Sequence, residues 1–208
     1  MASKNIYFYF ALLLLVGCSA RDECTTPSGH TFITKGIHFF PETESLSIGD
    51  TLWVSFDEST HLKTSKGDTV YFPNAANLST YISCQYAGVG DTDFVYATQY
   101  IDFVLEKGKL GSDHKFDYKL RDYLMAESNG RYEMKVGLIF KKKGVFSLFN
   151  GDAANVYQKG DKTLCTASLF TIPVSNEYHY LDKIIAIAPQ YASNIDTWKN
   201  NMYCVRIK

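Results

Sequence analysis

The fold class of this chain is decided by one stretch, RYEMKVGLIF, residues 131–140. Large apolar side chains occupy every second position, and charged or smaller residues fill most of the positions between them. A period of two predicts a strand with one buried face and one solvent face. A charged turn at 141–144 and a second apolar run at 145–149 follow. Together the two runs predict a β-hairpin.

The same kind of pattern recurs along the rest of the chain. Short apolar runs are separated by turns rich in Gly, Asp and Asn, and few segments have helical spacing. Such a series predicts an all-β sandwich. The run at 94–105, with apolar residues on both faces, is typical of a central strand. The predicted strands lie within 29–40 (two runs, interrupted near Lys35-Gly36), 52–56, 69–72, 80–85, 94–105, 164–174 and 203–207.

Two segments are candidates for short helices. Residues 115–128 carry apolar side chains at helical spacing, with Gly130 just past their end, which predicts one or two turns. Residues 181–188 suit either a strand or a short helix. Because no repeat and no low-complexity linker divides the chain, we expect a single domain from 28 to 208.

Two segments resemble strands of bacterial immunoglobulin-like domains. Residues 131–136 and 143–148 are similar to the E and F strands of that family, and 48–54 are similar to its turn and B strand. The resemblance implies an immunoglobulin-like antiparallel β-sandwich. Since such a domain has about 100 residues, the chain must also carry insertions or a second layer, which we place at 74–93 and 106–130.

The N-terminus has the pattern of an export signal. Lys4 precedes an apolar run from 6 to 16, which is shorter than the roughly 20 residues of a membrane span. The tetrad Leu15-Val16-Gly17-Cys18 resembles the lipobox of bacterial lipoproteins, in which the cysteine is acylated and the signal is cut before it. The resemblance implies a signal peptide at 1–17, a lipidated Cys18 and a tether at 18–27. Ser19 favours the outer membrane, and Arg21-Asp22-Glu23 resembles the surface-export signal of Bacteroidetes lipoproteins.

Charge and composition narrow the class of partner. Removal of Lys4 with the signal leaves 20 basic and 22 acidic side chains, a net charge of −2. A protein with this balance lacks the basic excess that nucleic-acid binding requires, so nucleic acid is not an expected partner. The chain is also rich in Tyr (15) and Phe (14), which suit half-buried strands.

Four cysteines remain if Cys18 carries lipid. Export places them in an oxidising compartment, and their even number predicts two disulfides. Three connectivities are open, and we favour Cys24 with Cys84 and Cys165 with Cys204, which would join both chain ends to the body. Free buried thiols are the alternative. No C-x-x-C pair or histidine cluster indicates a metal site, and we expect no cofactor.

Catalytic signatures are weak. The G-x-S-x-G pattern of many hydrolases is absent, and the five histidines are scattered, with His179 the best placed for a polar pocket. The acidic pair Asp57-Glu58 is weighed as a glycosidase group, but sequence does not show that two carboxylates meet. The loop at 88–93 could hold calcium through Asp91 and Asp93, yet it lacks the EF-hand pattern, and a solvated loop is favoured.

Aromatic residues give a better binding hypothesis. Exposed Tyr and Trp rings can stack on sugars or anchor a protein, because they offer rigid contact area at low entropic cost. The alternative for each ring is packing in the core. The chain is therefore expected to be a lipid-anchored, non-catalytic binding or structural module of the envelope; the alternatives are a surface glycan-binding or adhesion protein and a hydrolase with a site assembled from separate strands. The ligand-binding candidates are Trp53, Tyr96, Tyr100, Tyr178, Tyr180 and Trp198.

Overall fold

Two large β-sheets packed face to face form the body of the molecule. The computed structural model describes residues 31–71, 75–76, 79–111, 120–150, 157–158, 169–171, 173–177 and 179–208. Strands make up most of these residues, so the predicted all-β sandwich is confirmed. Its immunoglobulin-like type and the domain limits stay predictions.

The described residues form eighteen strands and two short α-helices. A 3-10 helix at Thr98–Tyr100 precedes β10, and another at Pro189–Asn194 joins the α-helices. In chain order the strands and helices are β1 Thr31–Ile33, β2 His38–Phe40, β3 Ser45–Leu46, β4 Thr51–Ser59, β5 His61–Thr64, β6 Thr69–Tyr71, β7 Ala75–Ala76, β8 Ser79–Ala87, β9 Val95–Tyr96, β10 Ile101–Lys107, β11 Lys109–Leu110, β12 Leu120–Leu124, β13 Ala126–Ser128, β14 Arg131–Phe140, β15 Gly144–Asn150, β16 Tyr157–Gln158, β17 Leu169–Thr171, α1 Asp182–Ile187, α2 Ile195–Lys199 and β18 Met202–Ile207.

The first sheet has the antiparallel order β10-β14-β4-β2, and β13 also pairs with β14. Val136 lies opposite Val54 and Leu138 lies opposite Leu52, and all four side chains are fully buried. The strand predicted at 131–140 is confirmed, with its even-numbered residues on the core side. Its odd-numbered residues form the outer face of the sheet.

The second sheet has the order β11-β12-β8-β15-β18-β3, with β9 beside β8. Strand β3 runs parallel to β18, whereas the other pairs are antiparallel. The predicted hairpin of β14 and β15 is wrong, because the chain crosses from the first sheet to the second at 141–143. This crossing lets Phe140 and Phe146 face each other across the core, with ring centroids 4.7 Å apart. Strand β15 is buried along most of its length, as a central strand covered on both faces should be.

Aromatic contacts also join the sheets on the β2 side. Phe39 of β2 stacks on Tyr203 of β18, with ring centroids 4.7 Å apart and planes within 4°. The Tyr203 hydroxyl donates a hydrogen bond to the Thr43 carbonyl at 3.0 Å, so this buried ring keeps a polar partner. Burial raises the pKa of the Tyr203 hydroxyl.

The outer face of the second sheet carries its own apolar cluster. Ile184 of α1 packs with Met202 and Cys204 of β18, and Phe149 and Trp198 flank them. Residues 181–188, predicted as a strand or a short helix, therefore contain helix α1. The two sheet faces differ: helices cover part of the second sheet, while charged side chains line the outer face of the first.

A smaller third sheet, in the order β17-β1-β5-β6, continues from β4 through the bend at Thr60. Strands β7 and β16 form a separate pair. The two runs predicted within 29–40 are confirmed as β1 and β2. Gly36 lies between them with φ of +88°, and a Cβ there would lie 2.1 Å from the Pro173 carbonyl oxygen, so only glycine fits.

The outer edge of β2 is closed by a side chain. Asn176 accepts a hydrogen bond from the Phe39 backbone N–H and donates one to the Phe39 carbonyl, both at 2.7 Å. Asn176 is buried and bonds Phe39 as a neighbouring strand would. The edge of the first sheet is thus capped at this position.

Two further predictions of secondary structure are wrong. Within the segment 115–128, the described residues form strands β12 and β13, because β12 pairs along its whole length with β8. The segment 94–105 is divided by the 3-10 helix, and its main part, β10, lies at the edge of the first sheet. Its apolar residues Val104 and Leu105 are consequently exposed.

Candidate functional site

Three of the aromatic candidates are partly buried and pack against the apolar clusters. Tyr100 makes an edge contact with Tyr86, and Tyr180 makes one with Tyr203. Trp198 belongs to the apolar cluster of the helices, with its ring centroid 6.2 Å from that of Phe149. These three rings contribute to packing, which is the alternative weighed for each of them.

The other candidates do not lie together. Tyr96 lies on β9, beside the second sheet, and is 42% exposed. Tyr178 lies outside the described residues. Trp53 lies on the outer face of the first sheet and is half-buried. The structure therefore does not gather the candidates into one site. Of the five candidates that it describes, Trp53 is the one that lies on the outer face of the first sheet.

The indole of Trp53 rests against the sheet because the neighbouring position is a glycine. Gly137 is the register partner of Trp53 on β14 and is itself buried. A Cβ at Gly137 would lie 3.1 Å and 3.3 Å from the Cζ3 and Cη2 atoms of Trp53, closer than ordinary contact. The space left by the absent side chain is thus filled by the indole.

Two further rings continue from Trp53 along β2. Phe40 is the register partner of Trp53 on the other side, and their ring centroids are 6.4 Å apart with planes within 19°. His38 follows Phe40 at 6.3 Å and 14°. The period of two in β2 places both side chains on the outer face. Three nearly parallel rings consequently form a row across β2 and β4.

A lysine lies against this row. The Lys135 ammonium is 4.5 Å from the Trp53 ring centroid and 5.8 Å from that of Phe40, within cation–π range. Both oxygens of the Glu106 carboxylate hold the same ammonium, at 2.9 Å and 3.0 Å. Lys135 is therefore fixed between an aromatic surface and a carboxylate. We call the surface formed by His38, Phe40, Trp53 and Lys135 the ring face.

Ion pairs surround the ring face. Each pair joins an odd-numbered side chain of residues 131–141 to an oppositely charged side chain on a neighbouring strand. In this way Arg131, Lys107, Lys135 and Lys141 each have a carboxylate partner. Their side chains are partly exposed, and screening by solvent leaves each pair with little effect on stability. The pairs are Arg131–Asp57, Lys107–Glu133, Lys135–Glu106 and Lys141–Asp102.

Two of these pairs shift the pKa of the cation. The hydrogen bond to Asp57 raises the pKa of Arg131, and the hydrogen bond to Glu133 raises that of Lys107. Both shifts keep the cations charged at any physiological pH. The charges of the surface are thus fixed in sign and balanced in number.

Cys84 and Cys204 are buried free thiols. Leu148 is the register partner of Cys84 on β8, and Ser147 is that of Cys204 on β18, so the two thiols point to opposite faces of the second sheet. Burial raises the pKa of both thiols, which makes them unreactive. Their predicted partners Cys24 and Cys165 lie outside the described residues, as does Cys18. Because Cys84 and Cys204 are free among the residues that the structure describes, the prediction of a disulfide at each of them is wrong.

The acidic candidates have structural partners. Asp57 and Glu58 point to opposite faces of β4: Asp57 pairs with Arg131, and the Glu58 carboxylate accepts a hydrogen bond from the Lys35 backbone N–H at 2.8 Å. They do not form a facing pair of carboxylates. In the loop at 88–93, the Asp91 carboxylate accepts a hydrogen bond from the Gly88 N–H at 2.6 Å. This bond closes the turn.

Two open clefts among the described residues are lined by none of the residues of the ring face. One, of about 480 Å³, lies beside the third sheet and is lined by polar residues that include Lys35, Glu58 and His61. The other, of about 340 Å³, is lined by the 88–91 loop together with Ile187 and Arg206. Among the residues that the structure describes, no three His, Cys, Asp or Glu side chains lie close enough to hold a metal ion. The pKa of His179 is lowered by burial, although its Nδ1 bonds the Met202 carbonyl at 3.1 Å.

No protein-family model matches this chain, and no curated protein or solved structure is significantly similar to it. Within the described part of the chain, no helix has the length and apolar character needed to cross a membrane.

Sequence reasoning found Trp53 but missed the rest of the ring face. Phe40 and His38 lie on the nearby strand β2 and Lys135 lies on the distant strand β14, and only the register shows that all three adjoin Trp53. One signal was available: Gly137 interrupts the outward row of a strong strand, which often marks a close approach of another group. Sequence alone does not identify Trp53 as the group beside Gly137, because this depends on which strands pair.

Proposed function

We propose that this chain is a lipid-anchored, non-catalytic binding module of the cell envelope, and that it contacts its partner through the ring face. The observation that carries the proposal is the row of parallel rings of His38, Phe40 and Trp53 on the outer face of the first sheet. Large rigid rings give contact area at low entropic cost, and the half-buried rings of Phe40 and Trp53 together with the exposed ring of His38 leave part of that area open to solvent.

The support for the anchor comes from the sequence. The lipobox resemblance at 15–18 makes Cys18 the lipidated residue, with 1–17 as the signal and an outer-membrane location. Several acyl chains hold a protein stably at a membrane, because each buried methylene contributes about 0.8 kcal/mol. A tethered module needs only moderate affinity for its partner, since tethering raises the effective concentration.

Cell fractionation tests the anchor. Cys18→Ala should leave the protein soluble or unprocessed, whereas Cys24→Ala, a matched change six residues later, should leave it in the membrane fraction. If the Cys18 variant fractionates with the membrane as the unaltered protein does, the lipoprotein proposal is wrong.

Photo-crosslinking in intact cells tests the ring face. A benzophenone amino acid placed at position 40 should capture a partner, since this group inserts into C–H bonds of protein and carbohydrate alike. The same amino acid at position 96, which is exposed beside the second sheet, is the control. Adducts from position 40 but not from position 96 support the proposal. Equal yields from both positions, or none from position 40, contradict it.

A further inference from the structure

We infer that the cleft beside the third sheet binds a small zwitterion of the amino-acid class, which carries one ammonium group and one carboxylate. This is a second site, and it does not depend on the ring face. Three observations carry the inference: the volume of the cleft, a buried carboxylate in its wall, and two lysines that line it without a carboxylate partner among the described residues.

The cleft has the size and the fixed wall of a small-molecule site. Its volume of about 480 Å³ lies within the range of about 300–1,000 Å³ that is usual for such sites. The turn between β5 and β6 forms one wall and is closed by backbone hydrogen bonds, from the Thr64 N–H to the Asp68 carbonyl at 2.8 Å and from the Gly67 N–H to the Thr64 carbonyl at 2.9 Å. A wall that is already fixed loses little conformational entropy when a ligand binds.

The wall of the cleft contains a buried carboxylate. Glu58 is 9% exposed and lies on the core side of β4, beyond the apolar residue Phe56. Its two carboxylate oxygens each accept one backbone N–H, from Lys35 at 2.8 Å and from Ser59 at 3.3 Å. These bonds leave lone pairs open, because a carboxylate has about four acceptor sites. A buried charge is costly unless it is paired, so Glu58 favours a cationic group in the cleft.

No cation among the described residues forms an ion pair with Glu58. The Glu58 charge contributes to the raised pKa of Arg131, but the Arg131 guanidinium is bonded to Asp57, on the other face of β4. Lys35 donates its backbone N–H and not its ammonium. A cationic group of a ligand would therefore meet a carboxylate that is not already paired.

Two lysines of the same cleft favour an anionic group. Lys35 and Lys63 are exposed, and in the described part of the chain neither ammonium has a carboxylate partner. The register of β5 with β1 places Lys63 beside Ile33, two residues before Lys35, so the lysines come from neighbouring segments. This arrangement differs from the outer face of the first sheet, where Lys107 and Lys135 are each held by a carboxylate.

A ligand with both charges matches this cleft better than a ligand with one. A simple anion would pair with the lysines but would also face the Glu58 carboxylate. A simple cation would pair with Glu58 but would face two ammonium groups. An amino acid offers its ammonium to Glu58 and its carboxylate to Lys35 and Lys63, so each charged group in the cleft gains an opposite charge.

Isothermal titration calorimetry of the full-length protein in a nonionic detergent tests the inference. Each common amino acid is titrated, and the tightest is compared with its N-acetyl derivative, which lacks the ammonium charge, and with its carboxamide, which lacks the carboxylate. At least one amino acid should bind, and each derivative should bind at least about tenfold more weakly, since a charged contact is lost. Inorganic phosphate, a simple anion, should bind more weakly than the amino acid.

Variants assign the binding to the cleft. Glu58→Gln keeps an oxygen for the Lys35 N–H but removes the charge, so it should weaken the amino acid at least about tenfold and leave the N-acetyl derivative nearly unchanged. Lys63→Met should weaken the amino acid several-fold. Glu106→Gln, on the first sheet, and Lys109→Met, at an exposed lysine of β11, are the matched controls and should bind as the unaltered protein does. Circular dichroism of each variant shows that loss of binding is not loss of the fold.

Several results would overturn the inference. They are the absence of binding by every amino acid, equal affinity for the amino acid and its two derivatives, tighter binding of inorganic phosphate than of any amino acid, and unchanged affinity in the Glu58 and Lys63 variants. None of these results bears on the ring face, because that surface is tested by crosslinking from positions 40 and 96.

Discussion

Replacing Gly137 by alanine should lift the Trp53 indole off the sheet without unfolding the protein. The added Cβ would lie 3.0 Å from the Thr51 Cγ2 atom and 3.1 Å from the Trp53 Cζ3 atom, whereas carbon atoms prefer about 3.5–4.0 Å. Thr51 and Trp53 must therefore each give way by roughly half an ångström. Trp53 is half-buried on the solvent side, so its indole can move outward.

The energetic effects of this substitution oppose each other. Overpacking costs about 1–3 kcal/mol, but alanine in a strand loses about 0.5–1 kcal/mol less conformational entropy than glycine. Outward movement of the indole relieves most of the first cost, so we expect the free energy of unfolding to change by about 1 kcal/mol or less. Stability is thus a poor reporter of the change, and the environment of the indole is a good one.

Tryptophan fluorescence measures this environment directly. The chain has two tryptophans, so Trp198→Phe leaves Trp53 as the single emitter. In that background Gly137→Ala should shift the emission to the red and increase quenching by acrylamide, while urea unfolding stays nearly unchanged. Ser55→Ala, on the same face, is the matched control and should change neither. Unchanged emission and quenching in the Gly137 variant would refute the placement of the indole over the glycine.

Other predictions concern the core, the capped edge and the thiols. Val136→Asp should cost more than about 4 kcal/mol in urea unfolding, because it buries an unpaired charge, whereas Lys135→Asp should cost about 1 kcal/mol; equal costs would contradict the assignment of faces. Asn176→Ala should cost about 2–4 kcal/mol, since it removes two buried hydrogen bonds, and a loss below 1 kcal/mol would show that the cap does not hold β2. Cys84 and Cys204 should resist alkylation in the folded protein from pH 7 to 9, because burial raises their pKa above that range and leaves no thiolate. After unfolding, both thiols should react without added reductant. A requirement for reductant would show that they are disulfide-bonded.

The sequence predicts the strands more reliably than their partners. The alternation at 131–140 reports which side chains face the core, since burial of one face imposes a period of two. It does not report which strand lies alongside, and the hairpin of β14 with β15 was wrong for this reason. A short charged turn joins neighbouring strands of one sheet or crosses between two sheets equally well, and the choice depends on packing across the core, as in the contact of Phe140 with Phe146.

The segment 115–128 shows a case in which the sequence pattern predicts the wrong type of secondary structure. Leu120, Tyr123 and Leu124 have helical spacing, but pairing with β8 places the described part of the segment in strands. A short run of apolar residues satisfies both periods, and the free sheet edge that decides between them is supplied by a distant part of the chain. Tyr123 is buried on this edge through contacts with distant parts of the chain, which local spacing does not predict.

The ring face could be predicted only in part for the same reason. Trp53 is conspicuous in the sequence, whereas Phe40 and Lys135 gain meaning only from the register of β2, β4 and β14. Balance of charge over a surface likewise depends on which strands are neighbours. The residue types therefore predicted a binding protein, and the strand pairing showed where the aromatic side chains come together.

Hydroxyl-radical footprinting of the full-length protein tests the central claim most directly, by comparing the oxidation of Trp53 in intact envelopes with that in purified protein. If the ring face is occupied by a partner in the envelope, Trp53 should be oxidised several-fold more slowly there, while Tyr96, exposed beside the other sheet, should react at the same rate in both samples. Equal oxidation of Trp53 in the two samples, or protection of Tyr96 in its place, would contradict the assignment of the ring face as the binding surface.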